Sequence, residues 1–212
     1  MTWNNAPDGR CIALGWMSNW QYANNVPTRQ YRSANTLARD LTLYREGQEL
    51  FLKSTPSVEV KKARGKKVSI PSFKVSEKHE IVNLFEDNQG AYEVEILIQN
   101  AGASKIAFCL LNDKGEKVSM YYDLNRKQFV MDRSESGTVD FSKDFPAVTV
   151  APANVDKELV LRLFVDRSSI EAFGEDGKFV MTNLVFPSQP YVKMCFEADK
   201  NGYAVKTLNV YT

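Results

Sequence analysis

The chain has 212 residues, 43% of them hydrophobic and 11% aromatic, with 27 lysines and arginines against 26 aspartates and glutamates. A chain of that size can bury roughly 70% of its unfolded surface, enough for one sizeable core or two small ones, which argues against disorder. Balanced charge removes the general field that would draw it to nucleic acid or an anionic membrane, no apolar run reaches the ~20 residues that span a bilayer, and a neutral partner is expected.

From the amino terminus, Met1-Thr2-Trp3 lacks the basic and then apolar start of a signal peptide. Within a few residues the string from Ala6 to Trp16 already looks like a hairpin under way, so a truncated start is expected and the missing signal says nothing of location. Asp8-Gly9 opens a strand that ends near Trp16, Asn19 to Thr28 is polar and turn-like with Pro27 inside it, and strand pairing is expected to resume near Arg29 to Tyr31. Leu37, Asp40 to Leu43 and Glu49 to Leu52 predict a hairpin closed by Arg45-Glu46-Gly47-Gln48, with Pro56 marking its exit. A module border falls in the range 32–56, and we place it after residue 45, giving units 1–45 and 46–212.

Beyond the border, Glu80 to Phe85, Tyr92 to Ile98, Ile106 to Leu111, Lys117 to Asp123 and Gln128 to Asp132 are predicted strands, separated by Asn88-Gln89-Gly90, Asn100-Ala101-Gly102, Asp113-Lys114-Gly115 and Asn125-Arg126. In Glu158 to Asp166 both alternating faces are largely apolar, so that strand is expected to be central. Ser169 to Phe173, Phe179 to Thr182, Tyr191 to Glu197 and Tyr203 to Val210 complete the set. Period-two patterning with turns at short intervals predicts an all-β chain, an antiparallel β-sandwich with little helix.

Several residue groups could carry chemistry. Asp166, Glu171, Glu175 and Asp176 cluster in sequence and could supply the two carboxylates of a glycosidase, but their strand-end and turn positions favour a structural role, Glu171 facing outward between Ile170 and Ala172. His79, the single histidine, lacks a signature linking it to a nucleophile or metal and is expected at an exposed strand edge. Five basic residues between Lys61 and Lys67, flanked by Val58 and Val60 and by Val68 and Ile70, predict a basic hairpin tip; no aromatics interleave there to stack bases, so nucleic acid is not expected. Cys11, Cys109 and Cys195 are odd in number and far apart, predicting buried thiols; neither a metal site nor a cofactor is expected. Trp16 and Trp20 differ from these, because Gly15 lets the backbone pass closely while Asn19 and Gln21 set amides beside two flat apolar surfaces, a combination that suits a sugar as well as a core.

Gly15 to Tyr22, Pro27-Thr28, Ala38-Arg39-Asp40-Leu41, Asp132-Arg133-Ser134, Asp166 to Phe173 and Thr182 to Pro187, in that order, resemble the closing part of a fructan-cleaving enzyme of glycoside hydrolase family 32. The resemblance covers nearly the whole chain. It implies the end of a five-bladed propeller, here a remnant of the last blade, followed by a β-sandwich packed on the propeller's side. It also implies a retaining mechanism, in which an aspartate of a Trp-Met-Asn-Asp-Pro-Asn-Gly type motif attacks the fructosyl carbon, a glutamate of a Glu-Cys motif protonates the leaving oxygen, and an Arg-Asp-Pro motif steadies the transition state. None of the three motifs occurs here; Arg39-Asp40 is followed by Leu41.

The family's late-blade tryptophan, which lines the fructose pocket, maps best onto Trp20 and next onto Trp16, with Asn19 and Gln21 as neighbours. The implied identity is a C-terminal fragment of a fructan β-fructosidase acting on levan, inulin or sucrose. Its expected partner is the missing propeller, it carries no catalytic acid of its own, and its parent is secreted, periplasmic or on the cell surface. Two other readings stay open: a non-catalytic carbohydrate-binding module, and a purely structural interaction domain.

Overall fold

The computed structural model describes residues 1–32, 34–82, 89–155, 157–199 and 201–212. The end of the strand predicted over Glu80 to Phe85, and Asn88 of the following turn, lie outside the described residues. Strands dominate, and the helical elements among the described residues are four short 3-10 turns.

Four strands, β1 (Thr2–Trp3), β2 (Cys11–Ala13), β3 (Arg39–Glu46) and β4 (Glu49–Pro56), form one antiparallel sheet in chain order, the pattern of a propeller blade. The β3–β4 hairpin closes as predicted at Gly47, whose φ of +60° suits glycine. Its ladder runs from Arg39 opposite Pro56 to Glu46 opposite Glu49, so the hairpin crosses residue 45 without a break. Arg29 to Tyr31 form no strand; an isolated bridge of Trp16 with Asn35 restores pairing instead. Pro27 and the turn before it remove the donors that a ladder there would need.

The rest of the chain builds two larger antiparallel sheets. One contains β15 (Phe179–Leu184), β14 (Ser169–Gly174), β13 (Glu158–Asp166), β8 (Tyr92–Asn100), β17 (Tyr203–Tyr211) and β5 (Lys67–Ile70) in that order, with β6 (Phe73–Val75) also paired to β17. The other runs β12 (Val148–Pro152), β11 (Gln128–Asp132), β10 (Lys117–Asp123), β9 (Lys105–Leu111), β16 (Lys193–Ala198) and β7 (Lys78–Ile81). Their inner faces supply alternate residues to one core, among them Val94, Ile96 and Ile98 from β8, Leu159, Leu161 and Leu163 from β13, Phe108 and Leu110 from β9, and Met120 and Tyr122 from β10. β13 is central, as its two apolar faces predicted. On β17 the inward residues change parity, from Tyr203 and Val205 to Leu208 and Val210. A bulge between Val205 and Thr207 makes this possible, because one extra residue restores the apolar set to the core face.

The basic stretch is not a hairpin tip. Val58–Ala63 is a 3-10 helix, and Arg64 turns inward onto β8. Its Nε and Nη2 donate to Glu93 at 2.8 and 2.6 Å, Nη2 also pairs with Glu95, and the guanidinium lies 3.9 Å from the Tyr211 ring centre. Arg162 Nε donates to the same Glu93 at 2.8 Å. Burial pushes the Glu95 carboxyl up, but hydrogen bonds from Arg64 and Tyr211 outweigh it and hold the group below its ordinary range. His79 lies on the edge strand β7, as predicted, but it is half-buried rather than exposed, because its ring stacks 4.0 Å from Phe73. Cys195 is buried, while Cys11 and Cys109 are half-buried, and all three are free thiols.

Because Glu93 is 5% exposed and serves two arginines, Glu93→Ala leaves both cations to share the single carboxylate of Glu95. Breaking a buried pair from one side costs about 3–5 kcal/mol. Urea unfolding should show a loss of that order; a loss under about 1 kcal/mol would mean that the cluster is solvated and not structural.

Candidate functional site

The Trp16–Trp20 wedge sits at one end of the blade sheet. Gly15 donates to Thr36 Oγ1 at 3.0 Å and accepts from the Thr36 amide at 2.9 Å, an approach so close that a β-carbon would lie 3.3 Å from the Thr36 methyl. That fixes Trp16 beside its bridge partner Asn35. Four residues on, the Asn19 carbonyl accepts from the amides of Tyr22 and Ala23, and Asn19 Oδ1 accepts from the Gln21 amide at 2.9 Å. These bonds close a tight turn around Trp20. The two indoles meet at 5.0 Å between ring centres with a 53° tilt, Trp16 39% and Trp20 84% exposed. Asn19 therefore shapes the turn, and Gln21 is exposed beside it.

Just past the wedge the chain dives into the sandwich. Tyr22 and Val26 are buried against Phe145, Leu184 and Phe186. Buried Arg133 ties this cluster together: Nε donates to the Phe145 carbonyl at 2.9 Å, Nη2 reaches the Tyr22 hydroxyl at 3.3 Å, and the guanidinium stacks 4.3 Å from the Phe145 ring centre. Trp20 is thus held two residues from a side chain that the sandwich itself buries. A second part of the seam lies on β14, where Glu171 is not the outward, solvated charge that alternation predicts. Its side chain is 3% exposed and accepts from the Leu37 amide at 2.7 Å and from Arg39, which also donates to Thr182 Oγ1 at 2.6 Å. The reason is packing: residues 37–39 of the blade cover that face of the sheet. Lys53 pairs with Asp176, and Gly177, at φ +87°, lies so close to the Ser54 carbonyl that a β-carbon would overlap it.

The remaining acids of the sequence cluster are also engaged locally. Asp166 accepts from the Arg167 amide at 2.7 Å, and Glu175 accepts from the Val160 amide at 2.9 Å. Each carboxylate thus has a structural partner, and among the described residues no group of three or more His, Cys, Asp or Glu could hold a metal ion. Among the described residues no helix is long and apolar enough to cross a membrane. At the foot of the blade, Arg10 bridges Asp40 (2.9 and 2.8 Å) and Glu59 (2.7 and 2.9 Å), linking β3 to the segment after β4. Arg39, Tyr22, Arg133 and Arg10 are the seam residues that composition and periodicity miss; Tyr22, Arg39 and Arg133 carry a signal only because they fall inside segments of the family resemblance, and Arg10 carries none.

The class is defined first by architecture: a two-sheet sandwich joined through an ion-paired seam to one blade-like sheet that exposes a tryptophan wedge. The chain belongs to glycosyl hydrolase family 32. Residues 59–212 match the family's C-terminal domain and residues 1–54 its N-terminal domain. It is 34% identical to the levanase of Bacillus subtilis (strain 168) across the full chain, which spans 32% of that enzyme's length. It is 32% identical to the extracellular exo-inulinase of Aspergillus awamori over 85% of the chain and 34% of that protein. The crystal structure of the A. awamori exo-inulinase superposes with a TM-score of 0.80 at 26% identity, covering 96% of this chain and 40% of that one. The chain therefore spans about a third of the length of these relatives.

Arg10 also predicts a pH response. Its hydrogen bonds lower the Glu59 carboxyl from 4.5 to about 2. A depressed carboxylate favours the paired state above its unperturbed value and loses that preference as pH falls through the depressed one. The bridge's stabilising contribution should therefore be complete at neutral pH and fade as pH falls from about 4.5 to about 2, the paired carboxylate itself protonating near 2. An NMR titration of the Glu59 carboxyl carbon should give a midpoint near 2, returning toward 4.5 in Arg10→Ala; equal midpoints in the two proteins would contradict the bridge.

Proposed function

We propose that this chain is the C-terminal portion of a retaining fructan β-fructosidase, in which the blade strands β1 to β4 contribute one wall of a fructose-binding funnel and the sandwich holds that wall in place. The observation that carries the reading is the Trp16–Trp20 wedge, exposed at the blade end yet anchored through Tyr22 in the sandwich. A flat indole covers the C–H face of a furanose, while amides such as those of Asn19 and Gln21 meet its hydroxyls. The family membership and the names of the levanase and exo-inulinase relatives support fructan or sucrose as substrate. They favour a secreted or periplasmic setting as well, since the exo-inulinase relative is extracellular by name.

On this reading the partner of the exposed blade faces is the remaining propeller, which carries the aspartate and glutamate that break the fructosyl bond. We place the border between the two units after β4, between Pro56 and Glu59, because the β3–β4 hairpin is one pairing unit and the two family matches part there. The 212-residue chain alone hydrolyses nothing, and its contribution to catalysis is positional.

Two measurements test the reading. Incubation with levan, inulin or sucrose should release no fructose above a blank; release would overturn the positional role. Added fructose at millimolar concentration should shift the Trp16 and Trp20 indole resonances in the intact chain, and the Trp16 shift should be lost in Trp20→Ala, whereas a Trp16 shift unchanged by that substitution would remove Trp20 from the site.

A further inference from the structure

A second recess opens where the tip of the β3–β4 hairpin meets the sandwich, and it shares no residue with the tryptophan wedge. It encloses about 590 Å³, with Tyr44 and Phe51 on the hairpin side and Lys127, Asn154 and Lys178 on the sandwich side. A shallower recess of about 810 Å³ continues from it. Glu46, Asn154, Glu175 and Lys178 line both, so the two form one open trough ending at Gln99, Lys157 and Glu158.

The chemistry of its walls is specific. Tyr44 and Phe51 stand directly opposite in the ladder, with ring centres 5.5 Å apart and 27° between planes, and Phe51 remains 38% exposed. An aromatic pair left half in water beside polar side chains is an apolar platform with hydrogen-bonding edges. Around it Lys127 donates to Asn154 Oδ1 at 3.2 Å, and Asn154 Nδ2 donates to Glu46 at 3.3 Å, which sets amide, ammonium and carboxylate groups in one row across the two units. The described lining carries three lysines (127, 157 and 178) and three glutamates (46, 158 and 175), so it offers donors and acceptors with no net field. Such a surface disfavours a polyanion or polycation and matches a neutral ligand whose groups both donate and accept, which is the character of a hydroxyl. The trough is open and elongated, which suits consecutive units of a polymer.

We propose that this trough is a second fructan-binding site, gripping a stretch of polymer on the Tyr44–Phe51 platform independently of Trp16 and Trp20. The identity of the polymer rests on the fructan reading above; the sugar chemistry of the trough does not.

Affinity electrophoresis and calorimetry of the 212-residue chain with levan provide the test, comparing Phe51→Ser, Lys178→Ala and Trp20→Ala. The expected result is at least a fivefold weakening of levan binding in Phe51→Ser, a smaller weakening in Lys178→Ala, and retention of most polymer binding in Trp20→Ala. Lys178 is exposed, so its variant keeps the test valid if Phe51→Ser fails to fold. Polymer binding that survives both trough substitutions, or that only Trp20→Ala abolishes, overturns the trough and leaves the fructan reading standing. Binding of a different neutral glycan such as xylan, lost in Phe51→Ser with no binding of levan, overturns the fructan assignment and keeps the trough. No binding of any neutral polymer overturns the proposal altogether.

Discussion

Glu171 lies in the middle of a strand whose six residues are all buried, and a carboxylate can remain charged there only if something replaces the water it has lost. That replacement comes from the other unit: the Arg39 guanidinium and the Leu37 amide reach across the seam and satisfy it. Neither partner is well placed without the other, since sliding one unit along the other with the seam still closed would leave two buried charges without their partners. The seam is therefore directional as well as adhesive. A purely apolar contact can slide, whereas a carboxylate held by a guanidinium and a backbone amide sets one angle between blade and sandwich.

The position of the tryptophan wedge follows from that angle. Two anchors fix the blade, the Glu171 pairing at the strand level and the Tyr22–Arg133–Phe145 cluster beyond the turn. Between them runs the segment carrying Trp16, Asn19, Trp20 and Gln21. A ring that is 84% exposed has little packing of its own to hold it, so its orientation is borrowed from its neighbours. In this fold the sandwich fixes the tryptophan wedge through such positioning.

Much of the architecture was legible in the sequence, because strands with one buried face write their period into the residues: Tyr92, Val94, Ile96 and Ile98 alternate along β8, and the Gly47 turn was visible between Leu43 and Leu52. The failures share one physical cause. Glu171 looks like an outward charge in an alternating strand, and its partner Arg39 is 132 positions earlier, so nothing local signals burial. Arg64 likewise looks like part of a solvated basic run until Glu93 and Glu95 on β8 are brought beside it. The Val205–Thr207 bulge leaves only a change of apolar spacing in the sequence, from Tyr203 and Val205 to Leu208 and Val210, and its irregular pairing shows only against β8. Trp20 and its neighbours could be singled out through the family resemblance, whereas their anchoring through Tyr22 required the packed structure.

The central claim is that the buried Glu171 pairing makes blade and sandwich one mechanical body. Amide hydrogen exchange along β3, compared between the native chain and Glu171→Ala, tests it most directly. The account predicts that β3 amides in the native chain exchange with the slow rate of the sandwich core, and that Glu171→Ala makes them at least tenfold faster while β8 stays protected. Protection of β3 that is unchanged by the substitution, or already lost in the native chain, would contradict it.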